Sequence, residues 1–173
     1  TAWDYFVHQK GVGACNNIEA GAFFRTEEGL DRPDIQMHFV PVLMYGLIDK
    51  LPKQHGITLH ACNLRPKSRG TVLAKSRDPF DAPSIDFNML AEEHDWQKLS
   101  KALDWCRKIM SAPAWEGVIG EEIDPGMQYQ TEEQKRQGII NSSDTVYHPV
   151  GTCKMGSDEM AVVDHELKVR GIE

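Results

Sequence analysis

Between Glu92 and Ser111, the residues Trp96, Leu99, Leu103, Cys106 and Met110 recur at three- and four-residue spacing. That spacing gathers them into one apolar stripe of an α-helix. Glu92, Glu93 and Asp95 crowd the first turn, while Arg107 and Lys108 lie near the last, as the helix dipole favours. Pro113 ends the helix. A helix with one apolar face must bury it against another layer of the same chain. This requirement constrains the fold more than any other local pattern.

The candidates for that layer lie upstream. In Asp34–Pro41, Ile35, Met37 and Phe39 alternate with Gln36, His38 and Val40, the period-two pattern of a strand with one face on a core. Ile18–Arg25 reads as a strand interrupted at Gly21, Gly56–Leu64 as another and Gly70–Ser76 as the next. The turn chemistry of Arg65–Gly70 predicts that the last two form an antiparallel hairpin. Asp78-Pro79 and Ala82-Pro83 predict a surface loop after it. A shorter helix is expected from Thr131, where Gln134 completes capping-box spacing, fading near Gly138. Residues 1–17 read as irregular. Gly11-Val12-Gly13 begins like a dinucleotide fingerprint but lacks the third glycine and a preceding buried strand, so it reads as loop. Strands first and helices after them give an α+β class, a mainly antiparallel sheet with helices on one face.

At 173 residues the chain reads as one domain. Its formal charge of −7 disfavours nucleic-acid binding, which needs a basic surface to displace counterions. No apolar run approaches the roughly 20 residues of a spanning helix, which leaves peripheral contact with the inner face of a membrane open. Cys15, Cys62, Cys106 and Cys153 form no CxxC pair and read as ordinary thiols of a reducing cytoplasm. The seven histidines show no metal-ligand spacing, and no metal is expected.

The chemistry concentrates in Tyr147-His148-Pro149-Val150-Gly151-Thr152-Cys153-Lys154-Met155-Gly156. Pro149 disfavours the helical region for His148 and fixes its own φ, so the imidazole sits on a stiff extended segment. Gly151 and Gly156 allow backbone reversals just beyond it. A general base needs that kind of fixed aim; a structural histidine is the alternative reading. His38 either bonds within its sheet or faces a pocket, and Glu19 is either solvated or turned toward that pocket. Trp96 and Trp105 read as packing residues of the long helix. The acidic pairs Glu121-Glu122 and Glu132-Glu133 read as solvated faces.

Three blocks together resemble the glucose–methanol–choline family of flavin oxidoreductases, and its choline- and primary-alcohol-oxidising branch in particular. They are Asn17-Ile18-Glu19-Ala20-Gly21-Ala22-Phe23, the run Leu64–Val72 with Ser76-Arg77-Asp78-Pro79, and the Tyr147–Gly156 segment with Asp158-Glu159-Met160 and Val163-Asp164. The resemblance implies oxidation of a primary alcohol to an aldehyde by hydride transfer to FAD. His148 matches the family histidine that assists removal of the hydroxyl proton. Val146, Tyr147, Ile18 and Glu19 match residues around the substrate, and His38 matches a pocket histidine of choline-oxidising relatives.

The resemblance also implies that residues 1–173 are a substrate-binding domain fragment. It would be truncated before the final flavin-contacting segment, which carries a second catalytic residue, and would not itself hold FAD. The substrate is then a small primary alcohol. Choline is one candidate. An aliphatic alcohol is the other, because Ile18 stands where choline-oxidising members often carry an aromatic ring. The electron acceptor is left open, and a non-catalytic binding module of the same fold is the alternative from a different class.

Overall fold

A computed structural model describes residues 2–16, 18–44 and 54–172. Asn17 of the first family-like block, and Glu173, lie outside the described residues. The chain gathers into two compact units, residues 1–67 with 92–144 and residues 68–91 with 145–173.

In the first unit a three-stranded antiparallel sheet packs under one long helix, and a second helix packs on that helix. Strands β1 (Ala20–Phe24), β2 (Ile35–Val40) and β3 (Thr58–Asn63) lie side by side in that order. The register sets Gly21 opposite His38 and His38 opposite His60. Gly21 therefore lies within β1 and does not interrupt it. Ile35 and Met37 are buried as their alternation predicts, whereas Phe39 is half-buried against Trp115, with ring centroids 5.8 Å apart.

The long helix is α2, Glu93–Met110. Its Ala102 meets Ile35 and Met37 in the core, with Phe24, Leu59, Ala61, Cys106 and Ile109 packed around them. The burial differs from the expected stripe. Its most buried positions are Asp95, Lys98, Ser100 and Ala102, while Trp96, Leu99 and Leu103 are only half-buried. The reason is chemical: the buried charges meet complementary groups at the strand ends. Lys98 Nζ lies 2.9 Å from Asp34 Oδ2 and donates to Thr26 Oγ1 at 2.8 Å. Asp34 also accepts from the Thr26 amide (2.8 Å) and hydroxyl (2.6 Å). Asp95 accepts the Lys67 amide on both oxygens, at 2.8 and 3.0 Å.

The Lys67–Asp95 contact also bears on the expected hairpin between Gly56–Leu64 and Gly70–Ser76. β3 pairs with β2, and the chain beyond it is tied down at the start of α2. The next strand, β4 (Thr71–Leu73), pairs instead with β5 (Ser84–Asp86), within a stretch expected to be loop.

Helix α3 (Glu132–Ser142) starts at Thr131 with both halves of the capping box made. It runs past Gly138 rather than fading there. A Cβ at Gly138 would stand 2.9 Å from Tyr129 Cγ and 3.1 Å from Pro125 Cβ, so the missing side chain permits a close approach. Alanine in place of Gly138 is expected to lower stability. Overpacking of about 1–3 kcal/mol exceeds the helix-propensity gain of at most ~1 kcal/mol. Thermal unfolding checks this, with Gly120→Ala as the neutral control, because a Cβ there meets nothing within 4 Å.

Two elements depart from the irregular start expected for residues 1–17. A helix α1 spans Ala2–His8, and a 3₁₀ turn follows at Val12–Ala14. The turn follows a helix rather than a strand, so the Gly11–Gly13 stretch lacks the setting of a dinucleotide fingerprint.

The second unit consists of the β4–β5 hairpin and the 145–173 segment. The hairpin turn is closed by Ser76 Oγ donating to Asp81 Oδ2 at 2.5 Å and by the Phe80 amide on Asp78 Oδ1 at 3.0 Å. In the tail, Val163 bridges both Met155 and Val169. Asp164 Oδ1 accepts the amides of Glu166 and Lys168 at 2.8 and 3.0 Å. Trp105 packs on Phe24 at 5.5 Å yet stays 41% exposed, and Trp96 lies half-buried under Arg136 at 5.1 Å, so neither is the fully packed core residue its helix position suggests.

Candidate active site

With Ile35, Met37, Leu59 and Ala61 committed to the core under α2, strand alternation turns the intervening residues to the opposite sheet face. That face carries Phe23 on β1, Gln36 and His38 on β2, and His60 and Cys62 on β3. Gly21, opposite His38 in the register, contributes no side chain; a Cβ there would stand 2.9 Å from the Met37 carbonyl oxygen, so the glycine permits a close approach of the two strands. His38 is half-buried and His60 exposed.

Although solvent reaches His60, crowding by neighbouring protein atoms strips part of its hydration; that loss, and then the His38 ring, hold it below its ordinary imidazole value, while Asp124 pulls the other way. Burial, and then Glu122, push the Asp124 carboxyl up. Partial burial likewise raises the Cys62 thiol, and burial pushes Cys106 to about 12.

The loop bearing Asp124 is held by α2. Arg107 forks onto Glu122, with Nε on Oε2 and Nη2 on Oε1, both at 2.8 Å. It also donates to the carbonyls of Tyr129 (2.8 Å) and Gly126 (3.2 Å). A bidentate guanidinium–carboxylate pair fixes direction as well as distance. Glu122 is thus a structural anchor and not the solvated carboxylate its sequence context suggests. Glu132 is likewise engaged, bonding Ser100 and Lys135.

Ile18 and Glu19 lead into β1 at the Phe39 end of β2. The Glu19 amide donates to Phe39 O at 3.3 Å and the Ile18 amide to Asn16 Oδ1 at 3.2 Å. The Ile18 side chain is 48% exposed. Ile18, Glu19 and His38 are thereby gathered at one end of the sheet.

Val146, Tyr147 and His148 belong to the second unit, on an irregular, exposed segment. Tyr147 has φ = +59°, which bulky L-residues rarely adopt and which costs roughly 1–2 kcal/mol. Its amide donates to Thr145 Oγ1 at 3.0 Å. Gly151 (φ = +106°) supplies the expected reversal, whereas Gly156 keeps an ordinary φ and bonds Val163 O through its amide at 3.1 Å. This strain stands next to the one histidine followed by a proline, a pairing that restricts the backbone from which the imidazole is presented.

His60 and Asp124 escaped the sequence reading. The alternation of Gly56–Leu64 gives His60 a face, but only pairing with β2 puts that face beside His38. Among the described residues, no group of three or more His, Cys, Asp or Glu side chains could hold a metal ion.

Residues 66–173 match the family model described as GMC oxidoreductase. The chain is 47% identical over 163 residues to an oxygen-dependent choline dehydrogenase of Escherichia coli O127:H6, covering 94% of this chain and 29% of that protein. It therefore spans under a third of the length of the curated relatives it matches. Among solved structures, pyridoxine 4-oxidase from Mesorbium loti superposes with a TM-score of 0.82 at 25% identity, over 92% of this chain and 32% of that one. A formate oxidase of Aspergillus oryzae RIB40 shares the fold, with a TM-score of 0.85 at 21% identity over 99% of this chain and 35% of its own. With a family model matching well over half its residues and an extended relationship at 47% identity, the chain belongs to the GMC oxidoreductases.

Proposed function

We propose that this chain is the substrate-binding part of an FAD-dependent, choline dehydrogenase-like enzyme that oxidises a primary alcohol to an aldehyde. The observation that carries the reading is the 47% identity to choline dehydrogenases, sustained over 94% of the chain. FAD, when bound, supplies the hydride acceptor for the α-carbon. The described residues suit the substrate side of that chemistry. They offer the imidazoles of His38 and His60 on the sheet face turned away from α2. In this reading His148 accepts the hydroxyl proton as the α-carbon loses hydride. Ile18, Glu19 and His38 in the first unit, and Val146 and Tyr147 in the second, are each candidate substrate-side residues in this reading.

A second reading, an aliphatic primary alcohol in place of choline, is favoured by Ile18. An aromatic ring there would attract a quaternary ammonium by about 0.5–2 kcal/mol, and an isoleucine cannot. Flavin bleaching by the full-length enzyme, with choline and straight-chain alcohols compared at equal concentration, decides between them. If choline is the substrate, Ile18→Phe is expected to lower its KM by about 2- to 30-fold and leave straight-chain alcohols unimproved. A full-length enzyme whose flavin is bleached by no primary alcohol would overturn both readings.

A further inference from the structure

His38 and His60 face each other directly across β2 and β3, on the sheet face turned away from α2. Directly opposed residues hold their Cβ atoms about 4.5–5.5 Å apart, so the charge on one ring is felt by any ligand that touches the other. The surroundings of His60 are built rather than incidental. The Arg107–Glu122 fork holds the loop that carries Asp124, and the Gly126 amide adds a bond to Glu122 Oε1 at 3.1 Å. The titratable groups that face or act on His60 are His38 on β2, Cys62 two residues on along its own strand, and Asp124 on that loop, which Glu122 acts on in turn.

We propose that His60 is a specificity-determining residue: as a neutral imidazole it admits a cationic alcohol beside His38, and as an imidazolium it repels one while sparing a neutral alcohol. The inference rests on the alcohol oxidation proposed above and deepens it. Cation–π attraction is missing at Ile18, so discrimination for or against a quaternary ammonium falls to the charges lining the sheet. Partial loss of hydration and the His38 ring both disfavour protonation of His60. Desolvation and a nearby like charge act together on it, and both act on the charged form.

The test compares choline with its uncharged isostere, 3,3-dimethylbutan-1-ol, as substrates of the full-length holoenzyme from pH 5 to 8. The readout is the ratio of the two kcat/KM values, in which effects common to both alcohols cancel. The ratio is expected to fall about fivefold or more toward acid pH, the size expected of one added charge several ångströms away across a partly solvated site. His60→Gln should flatten that fall. Asp124→Asn, which leaves His60 in place, should move the inflection to lower pH, because the carboxylate that favours the imidazolium is gone; a merely structural role would leave the inflection unmoved.

A ratio independent of pH, with both alcohols oxidised, overturns the inference and leaves the oxidation reading standing. So does a pH-dependent ratio that neither His60→Gln nor Asp124→Asn alters. Flavin reduction by neither alcohol at any pH overturns both together.

Discussion

Replacing His148 with alanine in the full-length enzyme is expected to slow flavin reduction by the alcohol about 10²- to 10⁴-fold, the range for losing one positioned proton acceptor. The argument begins with the backbone. Tyr147 is held at φ = +59°, Pro149 restricts the residue before it, and Gly151 turns the chain at φ = +106°. These constraints restrict the backbone from which the imidazole is presented, and a base restricted in advance loses less entropy in meeting its substrate. The loss should fall on the reductive step and largely spare KM, because an interaction made only in the transition state lowers kcat and kcat/KM together. Added imidazole should partly restore the alanine variant, since it returns the proton acceptor without its tether. Single-turnover flavin bleaching measures both effects. Bleaching at the wild-type rate would remove His148 from the chemistry and favour a binding module that kept the fold.

The parts of the fold legible in the sequence were those whose cause is local. A helix expected at Glu92–Ser111 is found at Glu93–Met110, because periodicity, end charges and Pro113 all point to the same boundaries. Thr131 and Gln134 form their capping box because that geometry lies within one turn. What failed was pairing. Alternation shows that a segment is a strand but not which strand it joins, so β3 pairs with β2 where the turn chemistry alone points to β4. β4 and β5 are three residues each and exposed throughout, which leaves no burial signature to read. Lys98 and Asp95 were invisible as core residues for a related reason. A charge is buried only where partners converge on it, and those partners are distant in sequence. The site divides the same way. His148 announces itself through its neighbours along the chain, whereas His60 acquires meaning only from the register that sets it against His38.

The largest stability effect is expected at that buried charge. Lys98→Met should destabilise the protein by about 3–5 kcal/mol, the range for removing one partner of a buried ion pair. Lys98 and Asp34 are only 7% and 6% exposed, and methionine would leave the carboxylate in place without its cation. Asp34 also ties the sheet together at the start of its central strand. Its amide bonds Phe24 O at 3.1 Å, and its carbonyl accepts the Leu64 amide at 2.8 Å. β2, the strand that carries His38, begins at the next residue.

The pH dependence follows from the two shifts. Burial alone would raise the Asp34 carboxyl, but bonds from Thr26 and Lys98 outweigh it and hold the group below its ordinary 3.8. Its contribution is complete above that value and is lost as pH falls through the lowered one. Burial alone would lower Lys98, but Asp34 and Glu27 outweigh it and hold the ammonium above 10.5. Its contribution is complete below 10.5 and is lost as pH rises through the raised value. The deficit of Lys98→Met against wild type should therefore be widest and flat between those limits, and should narrow at acid pH as Asp34 takes up a proton in both proteins. Asp34→Asn added to Lys98→Met should recover much of the loss, because it removes the charge left without a partner. Denaturant unfolding of the four proteins over that pH range measures the coupling directly. If Asp34→Asn instead deepened the loss, the Thr26 bonds rather than the ion pair would be what holds the strand ends together.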